Sequence, residues 1–479
     1  MSAPLILGTN SIKDVGFNVD NSLRFNRASS DSLKIIPSST GNRRTFTWSL
    51  WLKRTNPGNQ EATIWKREGS GSDTNGNGNA DYLGMLYFNS DDTLTVARNA
   101  EGDRINVSVA NRKFRDPSAW YHLVAAIDST QSTGSDRVKC YINGEEQTLT
   151  FSTTPSQNRE FDFNQSGEDH FIGTNGNSAI FLNGYLAEAV LIDGQQLDAT
   201  SFGEFDEDTG IWKPKDLSDL TFGTNGFYLD FKDSSALGND VSGNDNDFTV
   251  NNLTSIDQTT DTCTNNYATF NNLLGSNRQG SQLTFSEGNC KVQDSGGSID
   301  PYIPSTIGVT KGKWYAELKL DAYTESGHGF GIAATDGDFS ESTANLFCML
   351  QYATKAGDNL PAIYKFGTQV ENNLTDNDPG DIIGCAVDVD NGTVDFTVNG
   401  SAYGSQVTGL SSNFSGKTIF FIIRGEGGAT RTFTSSVNFG NPSFSITSGN
   451  SDANGYGNFE YSVPSGYYAL NSKNLAEYG

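Results

Sequence analysis

The chain is poor in the residues that catalysis and metal binding use most. Only three histidines occur, His122, His170 and His328, and their wide separation offers neither zinc-ligand spacing nor a nucleophile and base motif. The five cysteines, Cys140, Cys263, Cys290, Cys348 and Cys385, contain no C-x-x-C pair. An odd count, behind an N-terminus "MSAPLILGTN" that has no basic n-region, reads as free thiols in a protein made in the cytosol. Cys140 and Cys385 stand at strand positions that suit a small buried hydrophobe. Cations are also short: 32 Lys and Arg face 57 Asp and Glu, a net charge of −25. Such a surface repels a phosphate backbone, which excludes nucleic acid as a partner, and it keeps the protein soluble. No run approaches the ~20 apolar residues of a membrane-spanning helix. Nor does any stretch keep an apolar period of 3.6, so helices are not the building element.

What remains is the composition of short strands and tight turns: 52 Gly, 30 Phe, 18 Tyr and 6 Trp, with abundant Asn, Ser, Thr and Asp. "VKCYINGEEQTLTF" (138 to 151) alternates Val138, Cys140 and Ile142 with other residues before Asn143-Gly144, the dipeptide of a type I′ hairpin. "VDFTVNGSAYG" (394 to 404) repeats the pattern with Val394, Phe396 and Val398 before Asn399-Gly400. Each copy follows a strongly apolar strand, "WYHLVAAID" (120 to 128) and "DIIGCAVDVD" (381 to 390). One meander is therefore expected in each half of an all-β chain. Its length suits two large domains.

Strand-like runs recur about every ten residues from "SLRFNRASSDSLKIIP" (22 to 37) through "FTWSLWLKR" (46 to 54) to "GYLAEAVLID" (184 to 193), the spacing of a sandwich. Their order, with "WYHLVAAID" before a Tyr-x-Asn-Gly hairpin and "GYLAEAVLID" before "LDATSF", resembles the laminin G-like members of the concanavalin A-like jelly-roll superfamily. In the second half, "GKWYAELKLD" (312 to 321), "GHGFGIAA" (327 to 334), "GDIIGCAVDVDNGTVDFTVNG" (380 to 400) and "KTIFFIIRG" (417 to 425) resemble a SPRY domain. The intervening phrases "GTNGFYLDF", "SGNDNDFTVNNL" and "TNNYATFN" are similar to those of tailed-bacteriophage structural proteins, with Cys263 where proline is more usual. The expected organisation is an N-terminal arm (1 to 20), a jelly-roll sandwich (21 to 203), a connector with a short hairpin formed by 227 to 231 and 247 to 251 (204 to 265), and a SPRY-like sandwich (266 to 479). The phage resemblance implies a virion protein that is not an enzyme, such as a tail fibre, tail appendage or capsid fibre. Its partners would be other virion proteins, further copies of itself (a trimer foremost) and a host-surface glycan or protein. A purely structural decoration role and a glycan depolymerase are the alternatives.

Both domain types hold function on rim loops. Exposed aromatics stack on sugars, which nominates Trp212, Tyr323, Tyr403 and Tyr456, with His328 inside the first of the rim loops 321 to 329 and 424 to 432. Glu204, Asp206 and Asp208 in "GEFDEDTG" are the nearest approach to paired glycosidase carboxylates, but their setting reads as a solvated turn. No cofactor is required by any of these readings. A weak Ca2+ site is nominated at Asp73, Asn75, Asn77 and Asp81 in "DTNGNGNADYLG", whose last position holds Gly84 instead of the bidentate Glu. "DVSGNDND" (240 to 247) is a fainter version.

Overall fold

The computed structural model describes residues 16–67, 82–99, 105–176, 180–274, 282–297, 300–324, 327–335, 347–352 and 361–479. Antiparallel sheets dominate, as the all-β expectation requires, and the chain separates into two compact units at Thr264 and Asn265.

In the first unit, one sheet runs in the order Glu145–Glu146, Val138–Ile142, Trp120–Asp128, Thr45–Arg54, Gly184–Asp193, Ser22–Phe25, Gln258–Thr259. The facing sheet runs Leu149–Thr153, Asn106–Val109, Leu94–Asn99, Tyr82–Phe88, Glu61–Arg67, Asp169–Ile172, Ser32–Ile35, Thr249–Asn251. Strand alternation explains the double burial of Thr45–Arg54. Phe46, Trp48, Leu50 and Leu52 enter the core between the sheets. Trp51 lies on the opposite face, beneath Ala199, Phe202, Trp212, Leu217 and Phe222.

The segment expected to be a connector with a short hairpin is part of this sandwich. Phe227–Leu229 pairs with Gly184–Asp193 in one sheet, whereas Thr249–Asn251 pairs with Ser32–Ile35 in the other, so the two strands do not form a hairpin. The reason is burial: an isolated two-stranded hairpin is marginal in water, whereas Phe227, Leu229, Phe231, Leu237 and Phe248 here complete the core. The N-terminal boundary shifts for a related reason. Val19, placed in the arm by its sequence, is 3% exposed, and its N–H donates to Thr264 Oγ1 at 3.2 Å. Residues 1 to 15 lie outside the described residues.

The second unit packs a sheet ordered Leu283–Ser286, Lys291–Asp294, Phe433–Asn438, Lys313–Tyr323, Ile382–Asp388, Thr393–Val398, Ser401–Ala402 against one ordered Tyr302–Pro304, Thr418–Arg424, His328–Thr335, Phe347–Tyr352, Ala362–Lys365, Thr368–Glu371. Tyr468–Ala469 adds a short parallel pairing to Lys313–Tyr323. The buried Glu317 carboxylate fastens the chain near its end, accepting from Tyr461 N at 2.8 Å and Glu460 N at 3.0 Å.

The repeated Asn-Gly phrase has the same mechanics in both units. Asn143 and Gly144 take φ of 48° and 83°, and Asn399 and Gly400 take 49° and 75°. Each asparagine closes its hairpin onto the preceding strand. Asn143 Oδ1 accepts from His122 N at 2.8 Å, and Asn399 Oδ1 accepts from Ile382 N at 3.0 Å. Each glycine also lies under an aromatic ring, since an added Cβ would come within 2.3 Å of Trp212 or 2.5 Å of Tyr461.

Candidate functional site: the rim of the second sandwich

The strands Lys313–Tyr323 and Thr418–Arg424 end, and His328–Thr335 and Phe433–Asn438 begin, at the same end of the second sandwich. The two loops nominated from the sequence therefore meet. Thr324 N donates to Thr432 O at 2.8 Å, and Thr432 N donates to Thr324 Oγ1 at 2.9 Å. Beside them stands a group of alternating charges. Asp300 pairs through one oxygen with the Arg424 guanidinium and accepts from Gly427 N through the other at 2.6 Å. Arg431 pairs with Glu426. Arg424 also donates to Gly327 O at 3.2 Å, with its guanidinium carbon 5.9 Å from the Tyr302 ring centroid. The four charged side chains are 20 to 33% exposed, so they are braced yet reachable. Two cations balance two anions here, in a chain of net charge −25. An anionic partner meets less repulsion at this rim than over the rest of the surface.

The nominated residues do not form one open site, because each is held by local bonding or packing. His328 is fully buried behind the rim, its ring 5.1 Å from that of Phe433, and desolvation holds its pKa down to about 4. Tyr323 is half-buried and donates to Asn377 O. Tyr403, also half-buried, donates to Thr375 O on the same segment that Tyr323 reaches at Asn377. Tyr456 packs beside the cluster of Tyr267 and Phe459, with the Lys473 ammonium 5.8 Å from its ring centroid. Trp212 belongs to the first unit. It is 8% exposed rather than an open platform, because its Nε1 donates to His122 Nδ1 at 3.0 Å and its ring covers the outer face of the sheet. Asp300, Tyr302, Arg424, Glu426 and Arg431 escaped selection. Arg424, Glu426 and Arg431 fall inside the nominated loop stretch, but Arg424 is marked out only by its pairing across the fold with Asp300, and "GGSID" around Asp300 carries no motif.

The remaining sequence candidates resolve individually. Glu204 and Asp206 both face Lys213, at 3.5 and 3.3 Å, in an open hairpin, and Asp206 accepts from Thr209 Oγ1 at 2.8 Å. They form a solvated turn. Asp240 spends both carboxylate oxygens on backbone N–H groups, accepting from Tyr228 N and Asn246 N at 2.8 and 2.9 Å. His122 and His170 are buried structural groups. Asp73, Asn75, Asn77 and Asp81 lie outside the described residues. Among the described residues no group of three His, Cys, Asp or Glu is arranged to hold a metal ion. A small cavity beside Trp48, Phe163, His170 and Phe227 in the first unit has about 10 Å3, at the lower limit for a single water.

Residues 27–197 match the laminin G-type family model of the Concanavalin A-like lectin/glucanases superfamily, so the first unit contains a domain of that class. Similar solved structures include the SPRY domain of human HERC1, with 16% identity over 31% of this chain and 86% of that one, and a TM-score of 0.23. A native heptameric SAP-like pentraxin from Limulus polyphemus shares 17% identity over 38% of this chain and 80% of its own, with a TM-score of 0.28. A Bacteroides ovatus protein described as carbohydrate-binding shares 14% identity over 49% and 59%, with a TM-score of 0.32. No curated protein matches the chain in sequence.

Proposed function

We propose that this protein is a non-enzymatic adhesin displayed on a tailed-bacteriophage virion, and that the rim of its second sandwich engages a host-surface glycan or protein. The observation that carries the reading is the rim itself. Two loops from different strand pairs are tied together by Thr324 and Thr432, and beside them stands a balanced set of half-exposed charges. Such groups give specificity and steer encounter more than they give affinity. Weak single sites call for repetition, so a homotrimer anchored on other virion proteins fits the role, with avidity supplying ~10²- to 10⁴-fold. The lectin superfamily match of residues 27–197 supports a binding role, and the pairing of Glu204 and Asp206 with one lysine in an open turn weighs against glycan hydrolysis there. No cofactor is needed.

Virions carrying Asp300→Ala with Arg431→Glu provide the test. They should contain the protein at normal copy number and adsorb to host cells at least about 10-fold more slowly, the effect of losing a central charged contact. Normal adsorption would leave a structural decoration protein as the better reading. A chain found in infected cells but absent from purified particles would overturn the virion assignment.

A further inference from the structure

At the end of the second sandwich opposite the rim, an open groove of about 410 Å3 is lined by Thr310, Val389, Asp390, Ser411, Phe414 and Lys417. Its size is within the ~300 to 1,000 Å3 of small-molecule clefts. Three loops build it: the one before Lys313–Tyr323, the turn between Ile382–Asp388 and Thr393–Val398, and the approach to Thr418–Arg424. The turn is rigid where it borders the groove. Asp388 accepts from Asn391 N at 2.9 Å, and Gly392 takes φ of 63°, where an added Cβ would lie 2.3 Å from Ser411 N. Val389 and Phe414 are buried and form an apolar floor. Asp390 is exposed and accepts from Gly312 N at 3.2 Å through one oxygen, leaving the other turned to no described donor. The half-buried Lys417 makes no ion pair among the described residues.

We propose that this groove binds an acidic saccharide unit, a hexuronate. The two charges and the hydroxyls divide the recognition. Lys417 meets the sugar carboxylate in a charge-assisted hydrogen bond, and Asp390 accepts from ring hydroxyls. The hydroxyls of Thr310, Ser411, Ser415 and Thr418 serve as adaptable donors and acceptors. The pairing of one cation with one anion selects the ligand. A doubly charged phosphate would face more repulsion from Asp390 than a singly charged carboxylate does, and a neutral sugar would forgo the charge-assisted bond to Lys417. The groove is separate from the rim, so its occupancy does not depend on the adhesin reading of that surface.

Calorimetric titration of the full chain with digalacturonate, cellobiose and inorganic phosphate tests the assignment. Digalacturonate should bind saturably below about 10 mM, and cellobiose and phosphate at least about 10-fold more weakly. Lys417→Gln should weaken digalacturonate at least about 10-fold and Asp390→Asn several-fold, while Arg431→Glu at the rim leaves binding unchanged. Circular dichroism of each variant confirms folding. Absence of saturable binding, equal binding of phosphate or cellobiose, or an unchanged affinity in folded Lys417→Gln would overturn the proposal.

Discussion

His122 and Glu188 are two buried titratable residues on one face of the first unit, and they respond to pH in opposite directions. Trp212 Nε1 donates to His122 Nδ1, which leaves Nε2 as the protonated nitrogen, donating to Ser49 Oγ at 2.9 Å. The ring stacks on Trp51 at 4.8 Å. Desolvation drives its pKa from 6.5 to about 3. The unfolded chain therefore binds a proton that the folded chain refuses, and this contribution to stability is present above pH 6.5 and is lost as the pH falls. Glu188 sits at a β-bulge with φ of 49° and accepts from the Tyr228 hydroxyl. Burial raises its pKa from 4.5 to about 7. Its folded form prefers the proton, so its contribution is complete below pH 4.5 and is lost as the pH rises towards 7. Urea unfolding of the wild type, His122→Gln and Glu188→Gln across pH ~4 to 8 isolates each part. Relative to His122→Gln, the wild type should lose about 2 to 3 kcal/mol on acidification by two pH units below the free imidazole value. Relative to Glu188→Gln, it should lose about 3 kcal/mol between the two carboxyl values as pH rises. Parallel profiles would show that these groups titrate alike in the folded and unfolded chains.

At the scale of elements, the last strand of the first unit decides how far that unit extends. Gln258–Thr259 pairs with Ser22–Phe25, and just beyond it Asp261 reaches Lys53 at 2.7 Å with both side chains fully buried. Trp120 Nε1 donates to the other Asp261 oxygen at 3.1 Å. Removing one partner of a buried pair leaves an uncompensated charge, so Asp261→Ala should destabilise the first unit by about 3 to 5 kcal/mol. A fragment ending at residue 203 should fail to fold, because it also lacks the core residues Phe227, Leu229 and Phe248, whereas one ending at residue 264 should fold. Denaturant titration and circular dichroism measure both. A loss below about 1 kcal/mol in Asp261→Ala would mean that water or another group compensates Lys53. The hairpins themselves were legible in the sequence, because an Asn-Gly pair between alternating strands needs only local backbone preferences. The pairing of 227–229 and 249–251 with different sheets was not, since either strand is equally good locally and only the burial available in the assembled core separates the alternatives.

For the molecule as a whole, charge is the governing quantity. A net charge of −25 repels itself in the compact state, while the exposed ion pairs, such as Lys113 with Asp91, contribute little each. Raising NaCl from ~10 mM to ~150 mM shortens the screening length from ~30 Å to ~8 Å, so the melting temperature should rise by a few degrees. A fall on adding salt, read by scanning calorimetry, would mean that attractive pairs outweigh the net repulsion.

By itself, the sequence determined the all-β class and the two sandwiches with their matched Asn-Gly hairpins. Each follows from period, turn chemistry or residue count, which are properties of short stretches. Tertiary structure alone decided that Trp212 is a lid over His122 and not a sugar platform, that 204 to 264 belong to the first core, and that Asp300, Arg424, Glu426 and Arg431 share one rim. Those outcomes depend on which distant surfaces meet, as Trp212 and His122 do at a separation of 90 residues and Asp300 and Arg424 do at 124, and no local pattern encodes such a meeting.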